Sequence, residues 1–249
     1  MNDRICYWCG KKATSREYVP PKCLFPENKD VGNILKQSYR DNLITVPSCD
    51  EHNSKKSHND EYLMACLSGR VGNNSVAYIH NKTKVKRALE RNSSLYKIEK
   101  DDVLKIANKS FPIQWVTVDN LRLIQSFESI ARALYYYEKN KIFRGECTVV
   151  SDIFINCNDK RSTYYMKQMI ALIEKEKISW DTIVKGGNRD VFTYQFSPVD
   201  GFKCQTLALT FYKGTKAYVA MSEMDKELKK KAKPQFDFLI DSILGDYQE

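Results

Sequence analysis

Histidine is nearly absent from this chain: 249 residues contain three, His52, His58 and His80. Any chemistry that needs an imidazole must draw on one of these. Long apolar runs are also missing, and none approaches the roughly 20 residues that cross a bilayer. The N-terminus lacks the basic-then-apolar order of a signal peptide. A membrane partner is therefore not expected, and the expected location is cytoplasmic. The C-terminal two-thirds holds no internal repeat, no glycine loop able to cradle phosphate and no hydrolase elbow. Of the eight cysteines, Cys23, Cys66, Cys147, Cys157 and Cys204 lie far apart, which suits reduced thiols better than a secreted disulfide framework.

What is present is enough for a globular core, with 42% hydrophobic and 29% charged residues. The other three cysteines join a histidine in two close pairs, Cys6-x2-Cys9 and Cys49-x2-His52. At that spacing a tight turn points both side chains at one ion, and three thiolates with one imidazole complete a closed tetrahedral Zn²⁺ site of structural type. The plainer reading makes these cysteines small buried hydrophobes and His52 a surface residue, and it leaves the paired gaps without a reason.

Between the pairs run Thr14-Ser15-Arg16-Glu17-Tyr18-Val19-Pro20-Pro21 and Asp41-Asn42-Leu43-Ile44-Thr45-Val46-Pro47. Residues 14–19 and 42–46 alternate as two short strands, residues 22–41 read as a long loop, and a helix is expected from about Asp50 to Ala65. In this order the first 65 residues resemble the zinc-containing HNH, or His-Me finger, nucleases. The resemblance implies a zinc-stabilised ββα-metal finger that hydrolyses phosphodiesters. Glu17 and Asn53 then fall at the positions that ligate a catalytic Mg²⁺ or Mn²⁺, and Asn42 at the position that orients residue 18. Tyr18 stands where the family has its catalytic histidine, and a phenol, with an ordinary pKa near ~10, is a weak base at neutral pH. His58, a few residues into the helix, either supplies the missing imidazole or is a solvated helix residue. Asp60 and Glu61 either extend the ion shell or balance Lys55 and Lys56.

The net charge is +9, and most of the excess falls just after this finger, where residues 70–115 carry 10 Lys/Arg against 4 Asp/Glu. A helix over residues 75–91 places His80, Lys84, Arg87 and Arg91 on one face. With Lys22, Lys55 and Lys56, the last three of these are the candidate phosphate contacts. A plain solubilising face is the alternative. Gly69, Gly72, Asn73 and Asn74 mark a boundary between domains 1–68 and 69–249.

The second domain reads as a core helix over 119–138, a strand over 147–157 and a helix over 162–176. A three-stranded meander near 191–221 follows, then a closing helix over 223–244 interrupted at Pro234. The Tyr135-Tyr136-Tyr137 cluster ends the core helix and is expected to pack there rather than stack on bases. The whole is α+β: a finger followed by a mixed helical and antiparallel-sheet domain.

The expectation that follows is a DNA endonuclease, ahead of RNA, or an attenuated descendant in a prokaryotic defence or mobile-element setting. A catalytically inactive module that binds nucleic acid or protein is the competing class, and a homodimer is left open.

Overall fold

The computed structural model describes residues 4–35, 37–53, 57–92, 95, 97–156, 158–245 and 247. Lys55, Lys56 and Cys157 lie outside the described residues. The architecture is mixed α+β, with antiparallel sheets and a Cys/His cluster near the N-terminus.

Strand β1 (Ser15–Tyr18) pairs antiparallel with β2 (Thr45–Ser48), so that Glu17 faces Val46 and Tyr18 faces Thr45. The connection between them is more ordered than the expected loop. It holds a 3-10 turn at Lys22–Leu24 and the helix α1 (Asn28–Leu35), anchored by Leu24 and Val31, both fully buried. The prolines at 20, 21 and 26 punctuate this segment without preventing a helix in the gap after them. Helices α2 (Asp50–Asn53) and α3 (Ser57–Ser68) follow β2, and α3 buries a continuous run from Tyr62 to Ser68.

The helix expected over 75–91 is one rod in three parts: α4 (Ser75–His80), a π-turn at Asn81–Val85 and α5 (Lys86–Arg91). Thr83 donates its hydroxyl to the Ile79 carbonyl at 2.7 Å, and a hydroxyl inserted into the helical ladder widens a turn. The extra residue turns the face by about 100°. His80 is therefore fully buried instead of sharing a basic face with Arg87 and Arg91.

A hairpin with no glycine in its turn comes next, β3 (Lys97–Ile106) with β4 (Lys109–Thr117), in a stretch to which sequence pattern assigns no element. Its two-residue turn puts Ala107 and Asn108 at φ 45° and 63°, the left-handed pair that suits a twisted ribbon. Helix α6 (Asn120–Lys139) starts on Asp119, whose carboxylate accepts from the Arg122 N–H. It buries Leu123, Phe127, Ile130, Ala131 and Leu134, as the 3.6-residue spacing predicts. Tyr135 is buried at its end and Tyr137 is exposed.

The main sheet has five antiparallel strands in the order β5-β9-β8-β7-β6. They are β5 (Glu146–Ser151), β6 (Lys185–Asn188), β7 (Phe192–Phe196), β8 (Cys204–Phe211) and β9 (Thr215–Ser222). The expected meander is β7-β8-β9, extended by a strand on each side. The expected strand at 147–157 is shorter, passing into a 3-10 turn at Asp152–Phe154. Helix α7 (Lys160–Lys177) lies beside β5, and α8 (Lys226–Gly245) closes the chain. Pro234 sits inside α8 and does not interrupt it.

One buried cluster runs from Cys6 through α3 and α6 to Met221 on β9, so the two stretches on either side of residue 68 share a core. The Gly69–Asn74 segment joins them. Asn73 donates to the Leu67 carbonyl and accepts from the N–H and hydroxyl of Thr215, while Asn74 donates to the carbonyls of Tyr212 and Asp190. A Cβ on Gly214 would come within 2.4 Å of the Gly72 carbonyl oxygen, so the two backbones touch there. No helix among the described residues is long and apolar enough to cross a membrane.

Candidate metal centre and the adjoining cleft

The first ligand pair sits on a closed turn. Cys6 donates its N–H to the Lys11 carbonyl at 2.8 Å, Gly10 donates to the Cys6 carbonyl at 3.0 Å, and Gly10 takes the left-handed φ of 76° that the turn requires. The second pair starts a helix: His52 and Asn53 both donate to the Cys49 carbonyl. Tyr7 donates to the Pro47 carbonyl and Thr14 to that of Ser48, which clips the first turn to β2 and brings the pairs together.

The four ligand atoms lie within 4.8 Å of one another. Cys49 Sγ is 3.2 Å from His52 Nδ1, Cys6 Sγ is 3.9 Å from the same nitrogen, and Cys9 Sγ is 3.8 Å from Cys49 Sγ. Bonds of about 2.3 Å at tetrahedral angles separate two thiolates by about 3.8 Å, so the group is shaped to hold a metal ion. Burial pushes the Cys6 thiol up, but N–H groups of Cys9, Trp8 and Cys49 aimed at its sulfur outweigh that, and its pKa is lowered. Burial leads the other way at Cys9, whose pKa is raised.

Residues outside the ligand pairs hold this centre against α6. Trp8 stacks on the His52 ring, and the Arg132 guanidinium lies 4.9 Å from the Trp8 ring centroid. Arg132 is itself fixed by Glu128 and by the carbonyls of Phe143 and Gly145. The buried Tyr7 hydroxyl lies 2.9 Å from Ser129 Oγ. An aromatic residue inside a Cys-x2-Cys turn is a weak signal alone; its partner 124 residues away becomes visible only in the fold.

Beside the centre lies a cleft of about 290 Å³ lined by Arg16, Glu17, Tyr18, Lys22, Asn53, Asp60, Glu61 and Lys84, among others. Alternation along β1 turns Glu17 inward, where it is buried, and leaves Tyr18 37% exposed. The Lys22 ammonium is 5.0 Å from the Tyr18 ring centroid. Asn53 donates to Ser15 Oγ at 2.8 Å, which ties the start of the helical segment to β1. Arg16 bonds the hydroxyl and carbonyl of Thr45 across the strand pair. Cys23 donates to the Asp60 carbonyl, and burial, followed by the Asp60 charge, pushes its thiol up to about 12.

The structure thus brings Glu17, Tyr18, Lys22 and Asn53 together and leaves two expected members outside. Asn42 lies in the turn before β2, at φ 53°, and lines a separate small cavity with Val19, Gly187 and Phe192. The residue opposite Tyr18 is Thr45, because β2 begins three residues later than the alternation suggested. His58 is exposed, is not among the cleft residues, and its carbonyl accepts from Arg122. None of the three histidines lines the cleft.

The expected basic surface is largely paired. Lys84 reaches Glu27 at 3.1 Å, Arg87 reaches Asp30 at 2.8 Å and Arg91 reaches Glu61 at 3.3 Å. Hydrogen bonds from Lys29 and Lys84 hold the Glu27 carboxyl down at about 2. His80 donates its Nε2–H to the Cys23 carbonyl at 3.1 Å, and burial, then the Lys84 charge, lowers its pKa to about 4. No protein-family model, curated protein or solved structure matches the chain.

Proposed function

We propose that this chain is a metal-dependent nucleic-acid endonuclease of HNH type, attenuated by the phenol at position 18. The observation that carries the reading is the cleft itself: it gathers Glu17 and Tyr18 from β1 with Asn53 from just past the second ligand pair. Those are the acidic, base and helix positions of the resembled family. In this reading Cys6, Cys9, Cys49 and His52 hold a structural Zn²⁺, the ion that three thiolates and an imidazole suit.

Glu17 and Asn53 offer hard oxygen ligands, with Asp60 and Glu61 at the same cleft, and such a set suits Mg²⁺ or Mn²⁺. Glu17 and Asn53 would hold such an ion, which would supply the positive charge that neutralises a scissile phosphate and stabilises a leaving oxygen. The chain's own groups do the rest. Lys22 and Arg16 place positive charge where phosphate oxygens enter, and the Tyr18 hydroxyl stands where attacking water loses its proton. A net charge of +9 favours encounter with a polyanion, and the family resemblance puts DNA ahead of RNA.

A second reading, an inactive module that binds nucleic acid or protein, is favoured by the absence of any imidazole from the cleft lining. One assay separates the two. Plasmid DNA, single-stranded DNA and RNA are incubated with purified protein in Mg²⁺, in Mn²⁺ and in EDTA. Nicking that needs the ion and is lost in Glu17→Ala supports the enzyme, and no cleavage of any substrate selects the binding module.

A further inference from the structure

On the reading that Glu17 and Asn53 hold Mg²⁺ or Mn²⁺, on which this rests, we propose that Tyr7 is a positioning residue of the cleft, whose hydroxyl fixes the Glu17 carboxylate and ties the ion's site to the Cys/His cluster. Tyr7 stands inside the Cys6-x2-Cys9 turn, fully buried, and Glu17 is 5% exposed. The two meet because the turn is clipped along β2. Tyr7 donates its N–H to the Pro47 carbonyl at 3.0 Å, next to Val46, and Val46 is the residue opposite Glu17. Their side chains are hydrogen-bonded, phenol to carboxyl.

The direction of these bonds follows from what each group can do. A carboxylate only accepts, so the Tyr7 hydroxyl donates to Glu17. Its one proton is then committed, and at 2.9 Å from Ser129 Oγ it accepts there, so Ser129 of α6 is the donor. The relay runs from Ser129 through Tyr7 to Glu17, and both its hydroxyl-bearing residues are buried. A ligand carboxylate held by a fixed donor keeps one orientation toward its ion, and such outer partners are worth roughly 10–100-fold in metal affinity.

The second oxygen ligand leans on the other ligand pair. Asn53 follows His52 directly, and its N–H is bonded to the Cys49 carbonyl at 3.0 Å. Its side chain donates to Ser15 Oγ at 2.8 Å, on the same strand as Glu17. Each pair of the Cys/His cluster therefore sets one of the two oxygen ligands, Glu17 by way of Tyr7 and Asn53 by way of the helical turn that Cys49 starts.

The test is Mn²⁺ binding by the full chain without nucleic acid, with free Mn²⁺ read from its EPR spectrum. The wild type should take up an ion that Glu17→Ala does not. Tyr7→Phe keeps the ring and removes the hydroxyl, and should weaken that binding on the order of tenfold. Ser129→Ala should weaken it by a smaller factor. Adding Ser129→Ala to Tyr7→Phe should cost nothing further, because Ser129 acts only through the phenol, whereas two separate losses of packing would add. If Tyr7→Phe fails to fold, Ser129→Ala decides alone. Binding that needs Glu17 but is unchanged in these variants, or losses that add, overturns the role of Tyr7 and leaves the reading of the cleft standing. A wild type that binds no Mn²⁺, or binds it equally in Glu17→Ala, removes the reading of the cleft and the role of Tyr7 with it.

Discussion

The indole of Trp8 lies almost parallel to the imidazole of His52, with centroids 5.4 Å apart and an interplanar angle of 19°. The ring of a candidate metal ligand is thus held by a residue from the turn between the other two cysteines. Groups that orient a ligand typically matter 10–100-fold for metal retention. Trp8→Ala should therefore lose its ion to a chelator on the order of ten times faster than the wild type, followed with a colorimetric zinc indicator. Elemental analysis of never-chelated protein should give one zinc per chain. Its absence would mean that the four side chains cluster without an ion.

Replacing Tyr18 by histidine should raise cleavage, because an imidazole titrates near neutrality and a general base contributes roughly 10²–10⁴-fold. Part of that range should appear in Tyr18→His, and Glu17→Ala in the same background should abolish it. Loss of wild-type activity on Tyr18→His would instead give the phenol a catalytic role of its own.

Asp30 presents a side chain only 5% exposed to the Arg87 guanidinium, which grips both its oxygens at 2.8 and 2.9 Å. Arg87→Ala strands a buried carboxylate and should cost about 1–3 kcal/mol in urea unfolding. Arg87→Ala combined with Asp30→Asn should recover part of the loss. If binding of nucleic acid falls in Arg87→Ala by no more than stability explains, the residue belongs to the fold rather than to a phosphate surface.

His80 sets a pH window. Its folded pKa of about 4 lies below its ordinary value of 6.5, owing first to burial and then to Lys84, with Asp30 pulling the other way. The unfolded chain therefore takes a proton below pH 6.5 that the folded chain refuses. Stability at this residue is whole above pH 6.5, declines from there to about pH 4 and levels off below. His80→Gln keeps a donor for the Cys23 carbonyl and removes the titration, so it should show a shallower fall than the wild type over that window. Metal ligands that release in acid do so equally in both proteins, and parallel curves would mean that His80 is not the titrating group.

Much of this arrangement is legible in the chain because it is local. The paired two-residue gaps announce the metal cluster, and 3.6-residue spacing announces α6 from Leu121 to Leu134. Glycine-bearing turns announce the meander. What stays hidden depends on partners distant in sequence or on unusual turns. The β3–β4 hairpin bends at Ala107-Asn108, where no glycine marks the turn. The basic face of residues 80–91 dissolves because a single threonine bond re-phases the helix and because Glu27, Asp30 and Glu61 come from elsewhere to meet it. Asn42 is displaced from its expected place by the three residues that separate it from the true start of β2.

Tyr212 lies in the turn after β8, fully buried, and donates its hydroxyl to the Leu24 carbonyl at 2.6 Å across 188 residues. On the ribosome, the segment around Leu24 emerges long before the residue that satisfies it. The ligand pairs at 6–9 and 49–52 can close early, since both lie within the first quarter of the chain, but the apolar surface of α3 has to wait for α6. Synthesis therefore passes through a stage in which a closed Cys/His knot carries an unfinished core. A chain ended at Ser68 would freeze the protein at that stage, with its ligand pairs closed and aggregating through Leu63 and Leu67.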